Sequence, residues 1–361
     1  MIIHGIRRRW SPERARHVPG LAGALLLGGL ALGAIAAGDG SWPQPAPGAP
    51  SWPPAPDAAR ITYVASITEP RDIGAGPNVL GRIWGFIAGR SRRPRVLRPS
   101  GLATDSAGRL IVGDIEQQMV HVFDVGRRRY SYLDAAPFAS PVGVAVGPDD
   151  TIYVADSGRR CVFVYGRDGK RRRTLGLVNG EAIFVRPSGV AYGPDGLIYV
   201  VDAAAATITA LTLDGRVVRT IGRRGSEPGE FNYPTHLTFG PDGLIYVVDA
   251  MNARVQVLQP DGTFVRAFGR RGNGTGDFDK PKGIALDPDG HVYVAEGLHD
   301  VVQVFDAGGR LLLVVGQSGE GQGQFAFPSN LHVDRAGRVY VADALNGRVQ
   351  VFQYVSRPDG D

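Results

Sequence analysis

Six times along this 361-residue chain a proline is followed fifteen residues later by an acid. The prolines are Pro99, Pro141, Pro187, Pro234, Pro281 and Pro328, and the acids are Asp114, Asp156, Asp202, Asp249, Glu296 and Asp343. Successive prolines stand 42, 46, 47, 47 and 47 residues apart. A fixed period of this size means one supersecondary unit stacked on copies of itself, not a single mixed core. Tyr233–Gly269 is the most regular copy. It reads as a short strand HLTF, a Gly240-Pro241-Asp242-Gly243 turn, a β-branched run LIYVVDA, an alternating strand RVQVLQ, a Pro260-Asp261-Gly262 turn and a last strand TFVRAFG. Gly and Pro punctuate it at the turns, and no segment carries a helical period. Four strands per copy at a period near 45 predict an all-β, six-bladed propeller of four-stranded antiparallel blades.

The blade signature resembles the NHL-repeat family of propellers. The resemblance rests on P-x-G-(apolar), D-x-x-G-x-(I/V)-Y-V-x-D, N-x-R-V-Q-V and linkers of the form F-G-x-x-G-x-x-x-G-x-F ending at Phe231, Phe278 and Phe325, over residues 98–354. It implies that the loops joining blades, and those joining the second strand to the third, share one face, and that ligands bind there.

The sixth copy supplies only three strands before the chain ends. An orphan strand, residues 60–67, precedes the first copy and is expected to complete the last blade and close the ring. The domain order follows: 1–37 a leader, 38–59 a Pro-rich spacer that is extended rather than folded, 60–355 the propeller, and 356–361 a tail. The leader has five arginines before an uncharged run, Leu21 to Ala37, and an A-x-A site at Ala34-Ile35-Ala36, the pattern of an export signal. An uncleaved anchor through residues 21–37 is the alternative. The chain is therefore expected outside the cytoplasm, periplasmic or extracellular, and monomeric. Cleavage after residue 36 would remove a net +4 of the formal +5, so no nucleic-acid partner is expected. In the connector 69–97, Val79, Ile83 and Ile87 have helical spacing, followed by Arg90, Arg92, Arg93, Arg95 and Arg98. The single Cys161 has no internal partner and reads as a packed small residue.

Three groups of residues fall on the expected ligand face. The six repeat acids read as caps of their own turns, accepting backbone N–H groups two or three residues on. Arg223-Arg224 and Arg270-Arg271 occupy the same place in adjacent linkers, where paired guanidinium groups can grip an anion. Two residues after each opening proline stands glycine, except at His236 and Asn330, which are expected at the channel mouth. The resemblance extends to amidating lyases that hold a metal with several channel histidines. Here His236 stands alone, because His332 lies two residues further along its strand and His291 near the opposite turn. No hydrolase elbow, zinc-protease helix, P-loop or dinucleotide fingerprint occurs. The expectation is a non-catalytic scaffold that binds a protein, peptide or glycan through His236, Asn330 and the four linker arginines, with no cofactor. Its rivals are a lyase or hydrolase using a calcium or zinc ion in the channel, and a membrane-tethered accessory of an envelope redox or surface complex.

Overall fold

The computed structural model describes residues 42–76, 94–133 and 138–355, all within one compact unit, Gly33–Asp361. The leader, the Val79/Ile83/Ile87 stretch with Arg90, Arg92 and Arg93, and the tail lie outside the described residues. Among the described residues no helix is long and apolar enough to cross a membrane.

Six antiparallel sheets form the ring. Their innermost strands are Pro99–Thr104, Pro141–Val146, Pro187–Tyr192, Pro234–Phe239, Pro281–Leu286 and Pro328–Val333, numbered here as blades 1 to 6. Each opening proline starts an inner strand, where its missing N–H costs no ladder bond. The second strands, such as Ile198–Asp202 and Ile245–Asp249, are buried throughout, which is why they read as unbroken apolar runs. In four of them the tyrosine hydroxyl bonds back to an aspartate in the turn just before the strand, for example Tyr199 to Asp195 at 2.7 Å and Tyr293 to Asp287 at 3.0 Å.

The core is not a central ball but one wedge of apolar side chains in each seam between blades. Linker glycines make the wedges possible. Gly222 has φ +81°, and a Cβ there would lie 2.4 Å from the ring of Phe231, so this position requires glycine twice over. Gly269 against Phe278 and Gly316 against Phe325 repeat the contact.

The ring closes as the repeat count requires. Ile61–Ile67 pairs antiparallel with Arg348–Tyr354 and becomes the fourth strand of blade 6. Its register shifts between Tyr63 and Ala65, so Val64 forms a bulge. The bulge redirects the side chains. Ile61 and Tyr63 pack in the seam between blades 5 and 6, whereas Ala65 and Ile67 pack in the seam between blades 6 and 1. One strand thus fills both seams.

The Pro-rich spacer is extended, but its described part lies against the ring. Ser51–Trp52 pairs with Thr62 and Ile61 as a fifth strand, and the Trp52 ring meets Phe352 edge-on at 5.7 Å. Trp42 is buried against Tyr340 in the seam between blades 6 and 1. Between blades 2 and 3 the linker is a small hairpin, Leu177–Val178 with Glu181–Ala182, in place of the Gly-rich form.

Deleting residues 60–67 should abolish cooperative melting and yield aggregate on size-exclusion chromatography. Deleting Val64 alone should lower stability by about 3 kcal/mol, because the apolar pair on one side of the bulge is turned to the wrong seam. A thermal melt unchanged in either variant would contradict the two-seam role of this strand.

Candidate functional site

The six repeat acids are buried and fully engaged. Asp156 accepts from the N–H groups of Ala139 and Ser140 in the incoming linker, and of Gly158 and Arg159 in its own turn, at 2.8 to 3.0 Å. Asp202 does the same with Val185, Arg186, Ala204 and Ala205. Linker and second-to-third turn are thus bolted together, which places both on one face. Asp114 adds His121 at 3.4 Å. Burial opposes its charged form, but the His121 contact and the N–H groups of Gln117 and Leu97 outweigh that and lower its pKa. Glu296 accepts three backbone N–H groups, and burial raises its pKa.

The N-x-R-x-Q motif serves the same bolt. Asn252, Arg254 and Gln256 all donate to Asp249, and the same three side chains donate to the linker carbonyls of Gly225, Glu227 and Glu230. Asn346, Arg348 and Gln350 repeat this at Asp343.

The linker arginines turn back onto their own linkers and the adjoining second-to-third turns. Arg223 donates to Glu230 at 2.7 Å and Arg270 to Asp277 at 2.8 Å. Arg224 donates to the Ala204 carbonyl, and Arg271 to the Met251 carbonyl and to Asp279. The four guanidinium groups are exposed, but each has a partner within the fold.

His236 and Asn330 are wedged between blades. A Cβ on Gly189 would lie 3.1 Å from both the Cα and Nδ1 of His236, and one on Gly283 would lie 2.4 Å from Oδ1 of Asn330. Each polar side chain therefore fills the space that the glycine of the preceding blade leaves. Gly101 packs with equal closeness on Gly143 and Val144. At this level neighbouring inner strands touch. His236 is itself buried. Burial first, and then the charge of His332, lowers its pKa to about 4. His332 is half-buried, with its Nε2 2.8 Å from the Thr104 hydroxyl of blade 1; desolvation lowers its pKa to about 4, with the charge of Asp334 opposing.

One residue earlier in the inner strands, hydroxyl groups stitch neighbouring blades. Ser100 donates to the Val142 carbonyl, Thr235 to that of Lys282 and Ser329 to that of Pro99, at 2.7 to 2.9 Å. In blade 5 this position is Lys282, and its ammonium lies 5.4 Å above the ring of Phe327. Arg186 sits over the ring of Tyr233 at 5.8 Å. Burial, and next the charge of Lys280 with a further contribution from Arg186, lowers the Lys282 pKa, with Glu296 opposing. Three cations and two aromatic rings thus gather at the linker-face mouth, and among the described residues none of the three forms an ion pair. The sequence reading missed this cluster. Its signal was available: the residues directly before each opening proline are Arg98, Ser140, Arg186, Tyr233, Lys280 and Phe327.

One group among the described residues, Asp287, Asp289 and His291, brings three potential metal ligands within 4.8 Å of one another. It lies in the first-to-second turn of blade 5, on the opposite face. Asp287 accepts from the N–H groups of Asp289 and His291, from the His291 ring at 2.8 Å and from the Tyr293 hydroxyl. In blades 1 and 6 the same turn carries Arg109 on Asp105 and Arg338 on Asp334. His291 therefore takes the place of a turn arginine, and a metal would have to break bonds that the turn already uses. Cys161 is buried, and burial first, with the charge of Asp156, pushes its thiol up to about 12, so it is not a nucleophile.

Asp156→Ala leaves four backbone N–H groups without their acceptor and should destabilise the protein by about 3–5 kcal/mol, with Asp156→Asn milder, as measured by denaturant unfolding. His236 and His332 would titrate near ~6.5 in the unfolded chain. Between that value and about 4 the unfolded state binds more protons, so stability is full above ~6.5 and falls as the pH drops toward 4. The His236 part is on the order of 3 kcal/mol. In pH-dependent melts His236→Gln should flatten this fall, and a slope identical to that of the parent would refute the assignment.

Comparison with solved structures gives the same architecture at low sequence identity. A protein of unknown function from Bacteroides thetaiotaomicron superposes with a TM-score of 0.59 at 18% identity, covering 73% of this chain and 70% of that one. A gluconolactonase from Xanthomonas campestris gives 0.57 at 19% identity, covering 72% and 87%. A streptogramin B lyase gives 0.55 at 16% identity, covering 71% and 93%. These likenesses establish the fold alone. No curated protein matches the chain. The NHL-type naming rests on the blade signature, whereas the family model for the SMP-30/gluconolactonase/LRE-like region matches residues 99–327, and the chain belongs to that family.

Proposed function

We propose that this protein is a binding propeller whose linker face takes a partner segment carrying both acidic and apolar side chains. The observation that carries this reading is the convergence of Arg186, Lys280 and Lys282, with no ion pair among the described residues, where the inner strands open. Such a site offers charge-assisted bonds to carboxylates, and the Tyr233 and Phe327 rings hold two of the cations in place. A second feature favours a polypeptide over a small anion. The hairpin before blade 3 exposes Leu177, Val178, Ile183 and Val185, and Val185 leads directly into Arg186. An apolar strip running into a cationic cluster matches an acidic, partly hydrophobic peptide. Export through the leader would place this surface outside the cytoplasm.

The family and its lactonase and lyase neighbours support an enzymatic alternative. The linker-face mouth does not suit a divalent metal: three cations stand there, and the nearby repeat acids spend their oxygens on backbone N–H groups. The turn-face group Asp287, Asp289 and His291 is the remaining donor set among the described residues, and its oxygens hold a turn.

The experiment compares partners captured by crosslinking to the exported full-length protein with those captured by Arg186→Glu/Lys280→Glu and by Leu177→Ser/Val178→Ser. A true partner should be lost, or weakened about tenfold or more, in both variants while their melting temperatures stay unchanged. A partner retained by both would overturn the reading. Lactone hydrolysis that is stimulated by an added divalent metal and abolished by Asp287→Asn would establish the enzymatic one.

A further inference from the structure

Lysine is scarce in this chain. Against 37 arginines there are three lysines, Lys170, Lys280 and Lys282. Two of the three stand two residues apart at the linker-face mouth, where Arg98 and Arg186 fill the position of Lys280 in blades 1 and 3. A place that needs only positive charge is served by arginine almost everywhere in this molecule. Lysine differs in one chemical respect: its amine can lose a proton and act as a nucleophile, which a guanidinium in a protein cannot.

Lys282 is held in place by its surroundings. Its carbonyl accepts from the Thr235 hydroxyl at 2.7 Å, which fixes its backbone against blade 4. Its stem and the Phe327 ring close over Gly297: a Cβ there would lie 3.4 Å from Cγ of Lys282 and 3.3 Å from the ring. Every other blade carries a side chain at that place, namely Ile115, Ser157, Ala203, Ala250 and Ala344. Lys282 and Gly297 are thus paired exceptions of blade 5, one supplying an amine and the other the room for its stem. The amine lies 5.4 Å above the Phe327 ring and has no ion pair among the described residues. The acid that acts on it, Glu296, spends its oxygens on the N–H groups of Asp279, Lys280 and Leu298. Burial, Lys280 and Arg186 all favour the neutral amine, against Glu296 and the weak pull of the ring. Lost water together with neighbouring cations is the setting in which a lysine attacks carbonyl carbon.

We propose that Lys282 forms an imine with a small 2-oxo acid whose carboxylate is held by Arg186 and Lys280. Such an acid presents, on adjacent atoms, the two groups this site answers: a carboxylate for the flanking cations and an electrophilic carbon for the amine. The neutral amine attacks the ketone carbon, its proton passes to the ketone oxygen through water, and the carbinolamine loses that oxygen as water. In sum, an ammonium and a ketone give a protonated imine and one water. A C=N bond replaces a C=O bond, nothing is oxidised or reduced, and the lysine keeps its positive charge. The inference rests on the proposed function in one respect, that this cluster binds carboxylates.

The test is borohydride trapping of the full chain with pyruvate, read by intact mass and peptide mapping. One adduct should form, on Lys282. Lys170, exposed in the third-to-fourth turn of blade 2, is the internal control and should stay unmodified. Lys282→Arg, which keeps the charge, should abolish the adduct. Arg186→Ala should raise the pyruvate concentration for half-trapping about tenfold, and the melting temperature should be unchanged in both variants. Acetone, which lacks the carboxylate, should trap about tenfold less. Three results would overturn the proposal: no adduct with pyruvate, equal modification of Lys170, or acetone trapped as readily as pyruvate. The two readings fail separately. If an acidic partner is still captured through Arg186 and Lys280 but no adduct forms, the imine is overturned and the peptide reading stands. An adduct on Lys282 with no such partner supports the imine alone.

Discussion

One buried carboxylate per blade holds this molecule together. Linkers between blades are irregular chain, and irregular chain cannot satisfy its own N–H groups inside a packed structure. The acid at the end of each second strand resolves this by accepting from the linker sixteen or seventeen residues upstream; in blades 1, 2, 3 and 5 it also accepts N–H groups of the turn two or three residues downstream, whereas at Asp249 and Asp343 side chains donate in their place. A charged acceptor suits the task because its bonds are roughly twice as strong as neutral ones. The blades differ mainly in how the bolt is reinforced. Blades 4 and 6 add an Asn, an Arg and a Gln, and blade 1 uses His121 where they have the Gln. A ring of six carboxylates that looks suited to cations is therefore an internal framework, with no free oxygen to offer a ligand.

The fold was legible because each cause of it is local. Turn glycines, β-branched runs and a constant proline-to-acid interval are properties of single blades, and the missing fourth strand of the last copy pointed to residues 60–67. The Val64 bulge was not legible. Ile61, Tyr63, Ala65 and Ile67 alternate as in any half-buried strand, and only the register against Arg348–Tyr354 shows that they split between two seams. The Pro-rich composition concealed the docking of Trp42 and Trp52 for a similar reason, since it reports backbone stiffness and not what the two indoles pack against.

The site was less legible because surface chemistry depends on partners distant in sequence. Arg223 and Arg270 looked like an anion grip, yet the acids seven residues on, Glu230 and Asp277, take them. His236 and Asn330 broke a glycine rule and so drew attention. Their side chains answer to Gly189 and Gly283 of the neighbouring blade, a pairing across a seam that no single repeat displays. Lys282 was hidden in the opposite way. It takes a position that holds Ser or Thr in four of the other five blades, and its unusual surroundings arise from blade 6 and from Arg186 of blade 3.

Closure by the strand Ile61–Ile67 has a kinetic consequence. Every other ladder in the ring joins segments close in sequence, and such hairpins form early and independently. The ladder between Ile67 and Val349 joins the two ends of the propeller, so its loop-closure entropy is offset only once the intervening blades are in place. Closing the circle should therefore be the last step of folding, and until then blade 6 and the waiting N-terminal strand each present a bare edge. For that interval the chain is an open arc whose two ends are complementary, and the same complementarity that seals one molecule would join two of them end to end.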